Sequence, residues 1–255
     1  MDLSGKVVFI TGAAQGLGKA YAESLLQLGA KVALGDVNAA LGAATSEELQ
    51  RRFGEESVIF YAFDVTDHQQ FRDAFNAAVS HFGHIDVLVN NAGIMDESKW
   101  ELMIQINYTS LVFGTRLAIE HMRKDTGGLG GRIINISSMA GLEDYYFIPV
   151  YCGTKHAVRA YTSSLAQQPN IEEQGIEFGV LCPDAAATEL VSKIDENRIL
   201  FFDEAQPRFE KSKMDVETVV DAFLELAQLE QMNGAILLVS LEGKTYRKME
   251  SLVYV

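Results

Sequence analysis

Three residues of this chain have the types and spacing to move a proton while holding a charge beside it. Tyr151-Cys152-Gly153-Thr154-Lys155 sets a phenol and an ammonium four positions apart, which on a helix puts both on one face. The cation is expected to favour ionisation of the phenol, so that a tyrosine with an ordinary pKa of about 10 can act as a base near neutral pH. Twelve residues separate Tyr151 from Ser138, which closes the apolar run Gly131-Arg132-Ile133-Ile134-Asn135-Ile136 and its following Ser137. A tyrosine and a lysine at this spacing are common and mean little alone. Preceded at this distance by a serine at a strand end, in a chain that also carries a dinucleotide loop, they become a strong signal.

That loop is the stretch around which the rest is organised. Val7-Val8-Phe9-Ile10 reads as a strand buried on both faces, and Thr11-Gly12-Ala13-Ala14-Gln15-Gly16-Leu17-Gly18 follows it directly. Ala20, Tyr21, Ser24, Leu25 and Leu28 repeat at helical spacing until Gly29, and Lys31-Val32-Ala33-Leu34 resumes as a second strand. Glycine lets the backbone approach a pyrophosphate, and a helix starting near Gly16 offers it free N–H groups. The second strand ends at Asp36, eighteen residues after Gly18, where a dinucleotide-binding unit places the carboxylate that holds the adenosine ribose. Ala13, Ala14, Gln15 and Val37 supply no cation for a 2'-phosphate, so the charge argument favours NAD over NADP.

Further strands follow in the same alternation. Ser57 to Phe63 ends at Asp64-Val65, where Asp64 is positioned either to accept from the adenine amino group or to cap the next helix, a task Thr66 or Asp67 could also perform. A helix from His68 to Phe82 leads to the strand Ile85 to Asn90 and the small tip Asn91-Ala92-Gly93. Such a tip can approach the middle of a cofactor, while its amides tie neighbouring strand ends together. A helix over Leu102 to Met122 carries Asn107, which alone reads as structural. Ile176 to Cys182 is a sixth strand, Val216 to Leu229 a helix, and Ala235 to Ser240 the last strand. The fold expected is α/β: a single Rossmann-type, doubly wound parallel sheet of about seven strands with helices on both faces, one domain over 1–255. The tail from Lys244 to Val255 has no interpretable motif.

Composition narrows the partners. The chain has 255 residues, 48% hydrophobic, with a net charge of -14, enough for one large core and repulsive to nucleic acid and anionic membranes. No signal-peptide pattern and no run of 18 apolar residues is present, so a cytoplasmic protein without membrane insertion is expected. Cys152 and Cys182 read as reduced core thiols, and the histidines form no metal-ligand spacing.

Thr11 to Gly18, Asn90-Asn91-Ala92-Gly93, Asn107, Ser138, Tyr151 and Lys155 resemble, in order and spacing, the motifs of the compact short-chain dehydrogenases/reductases, and the likeness covers essentially the whole chain. Thr11 to Gly16, Pro149 to Cys152 and Asn233 to Ile236 are similar to the branch of NAD-dependent 15-hydroxyprostaglandin dehydrogenases, with insect alcohol and retinol dehydrogenases nearby. The resemblance implies that Tyr151 removes an alcohol proton, Ser138 hydrogen-bonds the same oxygen, and hydride passes to nicotinamide. Lys155 would lower the phenol's pKa and hold the nicotinamide ribose, and Asn107 would support a water relay. It implies NAD contacts at Gly12, Gln15, Gly16, Leu17 and Gly18, at Asp36 and Val37, and at Phe63, Asp64 and Val65. Further contacts fall at Asn91, Ala92 and Gly93, at Tyr151 and Lys155, and at Pro183, Ala186 and Thr188, with a homodimer through the two long helices after strands four and five.

Two positions depart from the family pattern. Pro183-Asp184 stands where the family usually has Pro-Gly, and outward solvation of Asp184 is the simplest expectation. Pro169 falls where the Tyr151 helix usually continues, so a kink is expected there. Substrate contacts are expected from Ser138, Tyr145, Ile148 and Tyr151. The segment Thr188 to Lys213, with Ile199-Leu200-Phe201-Phe202 and Phe209, is expected to form a lid over an apolar pocket. Ile148 replaces an amide side chain carried by prostaglandin dehydrogenases, so the expected partner is a lipophilic small-molecule alcohol, with a retinol or insect-type alcohol as alternative and a non-catalytic dinucleotide sensor as a remote one.

Overall fold

Short apolar runs separated by amphipathic stretches can bury both faces only in a sheet covered on both sides. The computed structural model, which describes residues 1–247, has that arrangement. β1 (Val7–Thr11) leads through the glycine turn into α1 (Gly16–Gln27), then β2 (Lys31–Asp36), α2 (Ala39–Phe53), β3 (Val58–Ala62), α3 (His68–Phe82) and β4 (Val87–Asn90). Next, α4 (Trp100–Ile104) passes through one π turn at Gln105–Thr109 into α5 (Ser110–Met122). After it come β5 (Gly131–Ile136), α6 (Pro149–Leu165), α7 (Ile171–Gln174) and β6 (Ile176–Pro183). The remainder is α8 (Glu189–Ser192), α9 (Phe202–Ser212), α10 (Val216–Gln228), β7 (Ala235–Ser240) and β8 (Gly243–Arg247).

The strand order is β3-β2-β1-β4-β5-β6-β7-β8, parallel throughout except for the last pair. Side chains of β1 alternate between two cores. Val8 and Ile10 face Tyr21, Leu25 and Phe223, with the Tyr21 and Phe223 rings stacked 4.2 Å apart. Phe9 faces Phe71, Phe75 and Ile133 on the other side. The sheet has eight strands, close to the about seven expected. The extra one is antiparallel and exposed at every residue, so it carries no buried alternation by which its sequence could be read. Residues 248–255 of the tail lie outside the described residues.

The expected kink at Pro169 is corrected. Helix α6 stops at Leu165, its last turn tightens as Gln167 N–H donates to Ser164 O and Gln168 N–H to Leu165 O, and Pro169 sits in the turn before α7. A proline cannot donate the next helical bond, and the chain has already left the helix when it arrives.

Strand order reverses between β1 and β4, so the ends of these strands part and leave a crevice. Asn91 bolts its rim together. Its backbone N–H donates to Thr11 Oγ1 at 3.1 Å and its side chain donates to the carbonyls of Thr11 and Gly12, both at 3.0 Å. Gly12 turns with φ of +67°, and a Cβ on Gly18 would lie 2.2 Å from the Gly12 carbonyl oxygen. The first turn of α1 therefore packs flat against the end of β1. Gly18→Ala must push that turn away, and is expected to lower unfolding free energy by about 1–3 kcal/mol, the usual range for overpacking. Urea unfolding measures it, and an unchanged midpoint would refute the packing argument.

Candidate active site

Pro149 opens α6 with its φ already suited to a helix. The Ile148 side chain cannot cap, and the free N–H groups of Val150 and Tyr151 instead donate to the carboxylate of Glu97, at 3.2 and 3.0 Å. An anion at a helix N-terminus is stabilising. Glu97 also donates its backbone N–H to Arg198 O at 2.7 Å, which joins the start of α6 to the segment before α9. One turn further on, Lys155 Nζ donates to Ile136 O at 3.0 Å, while Ser137 Oγ donates back to Lys155 O at 2.8 Å. Ser138 Oγ donates to Pro183 O and accepts from Ala140 N–H, both at 3.2 Å. The ends of β5 and β6 thus meet the buried face of α6, with Tyr151 7% and Lys155 5% exposed.

Electrostatics there run against one expectation. The phenol of Tyr151 lies above its ordinary pKa because burial disfavours the phenolate, and the Ser138 hydroxyl offsets only part of the rise. Lys155 Nζ is 5.5 Å from the Tyr151 ring centroid, but burial works on the ammonium as well and holds it down to about 8. The expected lowering of the phenol by Lys155 is therefore overridden, because desolvation penalises both charged forms. Asn107 is buried in the π turn. It accepts from Ile94 N–H at 2.8 Å, donates to Ile94 O at 2.9 Å and donates to Thr154 Oγ1 at 3.3 Å. It fastens the loop after β4 to α6 rather than lining the cavity itself.

One cavity of about 500 Å³ extends from this cluster along the strand ends. Gly12, Gln15, Gly16, Leu17, Asp36, Val37, Phe63, Asp64 and Val65 line its far end. Asn91, Ala92, Gly93, Tyr151, Lys155, Pro183, Ala186 and Thr188 line the middle. Gly18, expected among the contacts, does not line it and supports the turn from behind. Asp36 accepts from Ala14 N–H and Asn38 N–H, both at 2.9 Å, which fixes its carboxylate at the cavity edge. Asp67, not Asp64, caps α3, accepting from Gln69 and Gln70 N–H. Asp64 turns to Thr66 and stays on the wall. No side chain caps α1, and its first turn holds no acid, so these N–H donors, with the Asp36 carboxylate at the edge, fit a dinucleotide with its pyrophosphate at the helix start.

The other end is apolar. Met95, Ala140, Phe147, Ile148 and Phe209 line it, and Phe147 also packs on Phe209 at 5.4 Å between ring centroids. Ser138, Tyr145, Ile148 and Tyr151 all border it. Ile199 is buried against the body, whereas Leu200 and Phe201 are exposed, so only part of that aromatic run packs. Asp184 corrects the expectation of outward solvation. Its side chain is 16% exposed and paired at 3.2 Å with Arg208 of α9. Sequence reasoning missed Glu97, Met95 and Arg208. Each is an ordinary residue of its local stretch, and nothing in spacing reveals a partner 53 residues away.

A test of the buried ammonium follows from its pKa. Between about 8 and the ordinary 10.5 of lysine, the unfolded chain holds this proton and the folded chain does not, so stability gains as pH rises through that window. Lys155→Met fills similar space without a charge and removes the gain. The difference in Tm between the two proteins should therefore move in favour of the wild type as pH rises from about 8 to about 10.5. A pH-independent difference would overturn the assignment.

Known proteins resemble this chain over the same elements. A family model described as short chain dehydrogenase matches residues 6–199. The chain is 39% identical to 15-hydroxyprostaglandin dehydrogenase [NAD(+)] of Rattus norvegicus, over 94% of this chain and 92% of the relative, with the same figures for the Homo sapiens protein. It is 35% identical to a diacetyl reductase [(S)-acetoin forming] of Staphylococcus epidermidis, over 76% of each. A short chain dehydrogenase/reductase from Burkholderia phymatum, solved in complex with NAD, superposes with a TM-score of 0.82 at 25% identity, covering 93% of this chain and 90% of that one. The matched stretch spans the doubly wound sheet from β1 to β6, and the chain belongs to the short-chain dehydrogenase/reductase family of oxidoreductases.

Proposed function

We propose that this protein oxidises a lipophilic secondary alcohol to its carbonyl compound with NAD, a 15-hydroxyprostaglandin being the leading candidate. The observation that carries the reading is one continuous cavity with Tyr151, Ser138 and Lys155 on one wall and Asp36 at the far edge. The relatives at 39% identity, named for that alcohol and for NAD, support it. A retinol or insect-type alcohol is the alternative, favoured by Ile148, which offers a substrate hydroxyl no hydrogen bond. A sensor without turnover finds no support in a chain that keeps all three polar groups together.

Tyr151 takes the alcohol proton as the carbinol hydrogen leaves with its electron pair, and because burial disfavours the phenolate that this needs, the rate rises with pH as more of the phenol ionises. Ser138, which shares its hydroxyl proton with Pro183 O, turns that proton to the same substrate oxygen. Lys155 has three donors, of which Ile136 takes one, leaving others for ribose hydroxyls. Asn107 steadies the route by which the proton reaches solvent. When bound, NAD supplies the hydride acceptor. Asp36 holds the adenosine ribose and repels a 2'-phosphate, and α8 with α9, inside 188–213, acts as the lid. The proposal includes a cytoplasmic homodimer through α5 and α6. No helix among the described residues is long and apolar enough to cross a membrane.

Two substitutions test this. Tyr151→Phe should lower NADH formation by at least about 10²-fold, the scale of lost proton transfer, while NAD still binds in calorimetry. Comparable activity would sink the mechanism. Asp36→Ala should weaken NAD and raise the NADP/NAD ratio of kcat/KM by about tenfold or more, since it removes a charge repulsion, and an unchanged ratio refutes the cofactor assignment.

A further inference from the structure

Asp184 sits at the reacting end of the cavity, directly after the residue whose carbonyl accepts from Ser138. Arg208 of α9 reaches across to it, and the same guanidinium nitrogen donates to the Tyr145 hydroxyl at 3.1 Å. Tyr145 in turn donates to Glu143 at 2.6 Å. Burial, with the Glu143 carboxylate, pushes that phenol up to about 12, so it carries no charge in the physiological range. The guanidinium is therefore matched by Asp184 and outnumbered once Glu143 is counted. Among the described residues that line the cavity, Lys155 is the one other cation, and it is sunk behind the phenol. Glu189 of α8 is a further carboxylate on the cavity wall, paired with Lys193, and the side chains around the Asp184–Arg208 pair, Phe147, Ile148, Phe209 and Ser212 among them, are otherwise apolar or neutral hydroxyls.

A substrate bearing a carboxylate would leave its hydration shell for an apolar wall and find a cation whose charge a fixed anion already offsets. An uncharged analogue escapes that penalty. We propose that Asp184, by neutralising Arg208, makes this pocket select uncharged lipophilic alcohols over their carboxylate-bearing counterparts, so that a 15-hydroxyprostaglandin is taken as a neutral derivative in preference to its free acid. This rests on the alcohol-oxidation reading for what occupies the site, and it makes Asp184 a specificity-determining residue. The same contacts tie α9 to the ends of β6 and to the loop before α6, so the selecting pair also lies on the entrance.

The test uses the full chain loaded with NAD and two probes, a 15-hydroxyprostaglandin acid and its methyl ester, with Kd read by calorimetry and turnover by NADH absorbance. The ester should bind about tenfold tighter or better, on the scale of one like-charge juxtaposition. Asp184→Asn should tighten the acid by about the same factor and move the ester little. Arg208→Gln should weaken the acid further, and it carries the test if the first variant fails to fold. Equal binding of acid and ester, tighter binding of the acid, binding of neither, or a ratio unmoved by these variants overturns the proposal. Ester-selective binding without turnover overturns the oxidation reading alone.

Discussion

A buried ammonium anchors this site. Lys155 is nearly sealed from water, and a charge in that position survives only if it is hydrogen-bonded. The carbonyl of Ile136 at the end of β5 provides that bond, and Ser137 returns one to the Lys155 carbonyl. Helix α6 is therefore fastened to one strand end in both directions. Tyr151 is placed by the same fastening, because it sits one turn earlier on the same helix and its N–H is already taken by Glu97. A single docking of a helix on a strand end positions the phenol, the ammonium and, through Ser138, the carbonyl of Pro183.

The far half of the cavity solves a different problem. A chain with a net charge of -14 has to accept a dianionic pyrophosphate, and no arginine or lysine lines that half. Oriented N–H groups do the work that cations would do elsewhere, since the start of α1 has neither a capping side chain nor an acid in its first turn. Absence of a cation there leaves Asp36 unopposed at the ribose edge. On the proposed reading, the choice between the two nicotinamide cofactors rests on which charges are missing as much as on the one present.

At the substrate end the balance is reversed, and a cation is present but committed. Arg208 comes from α9, Asp184 from β6's end and Tyr145 from the loop ahead of α6. Three segments distant in sequence share one guanidinium. Such a pair is modest as a stabiliser, being partly exposed.

Much of this was legible in the residues alone. The glycine turn, the alternation of strands and helices, Asp36 at a strand end, and the spacing of Ser138, Tyr151 and Lys155 are local patterns, and each has a local cause: backbone approach, hydrophobic period or helical repeat. Elements reach the sheet as expected because apolar runs can bury themselves in few ways. Tertiary structure alone decided the remainder. The eighth strand pairs by backbone with exposed side chains, the sign of the Tyr151 shift depends on how deeply two groups are buried, and α6 ends before Pro169 because its last turn tightens. Glu97 and Arg208 acquire roles only when segments 53 and 24 residues away fold against them. Sequence periodicity specifies what a segment does with itself, whereas charge pairing and desolvation depend on what else is packed nearby, and only the folded chain sets that.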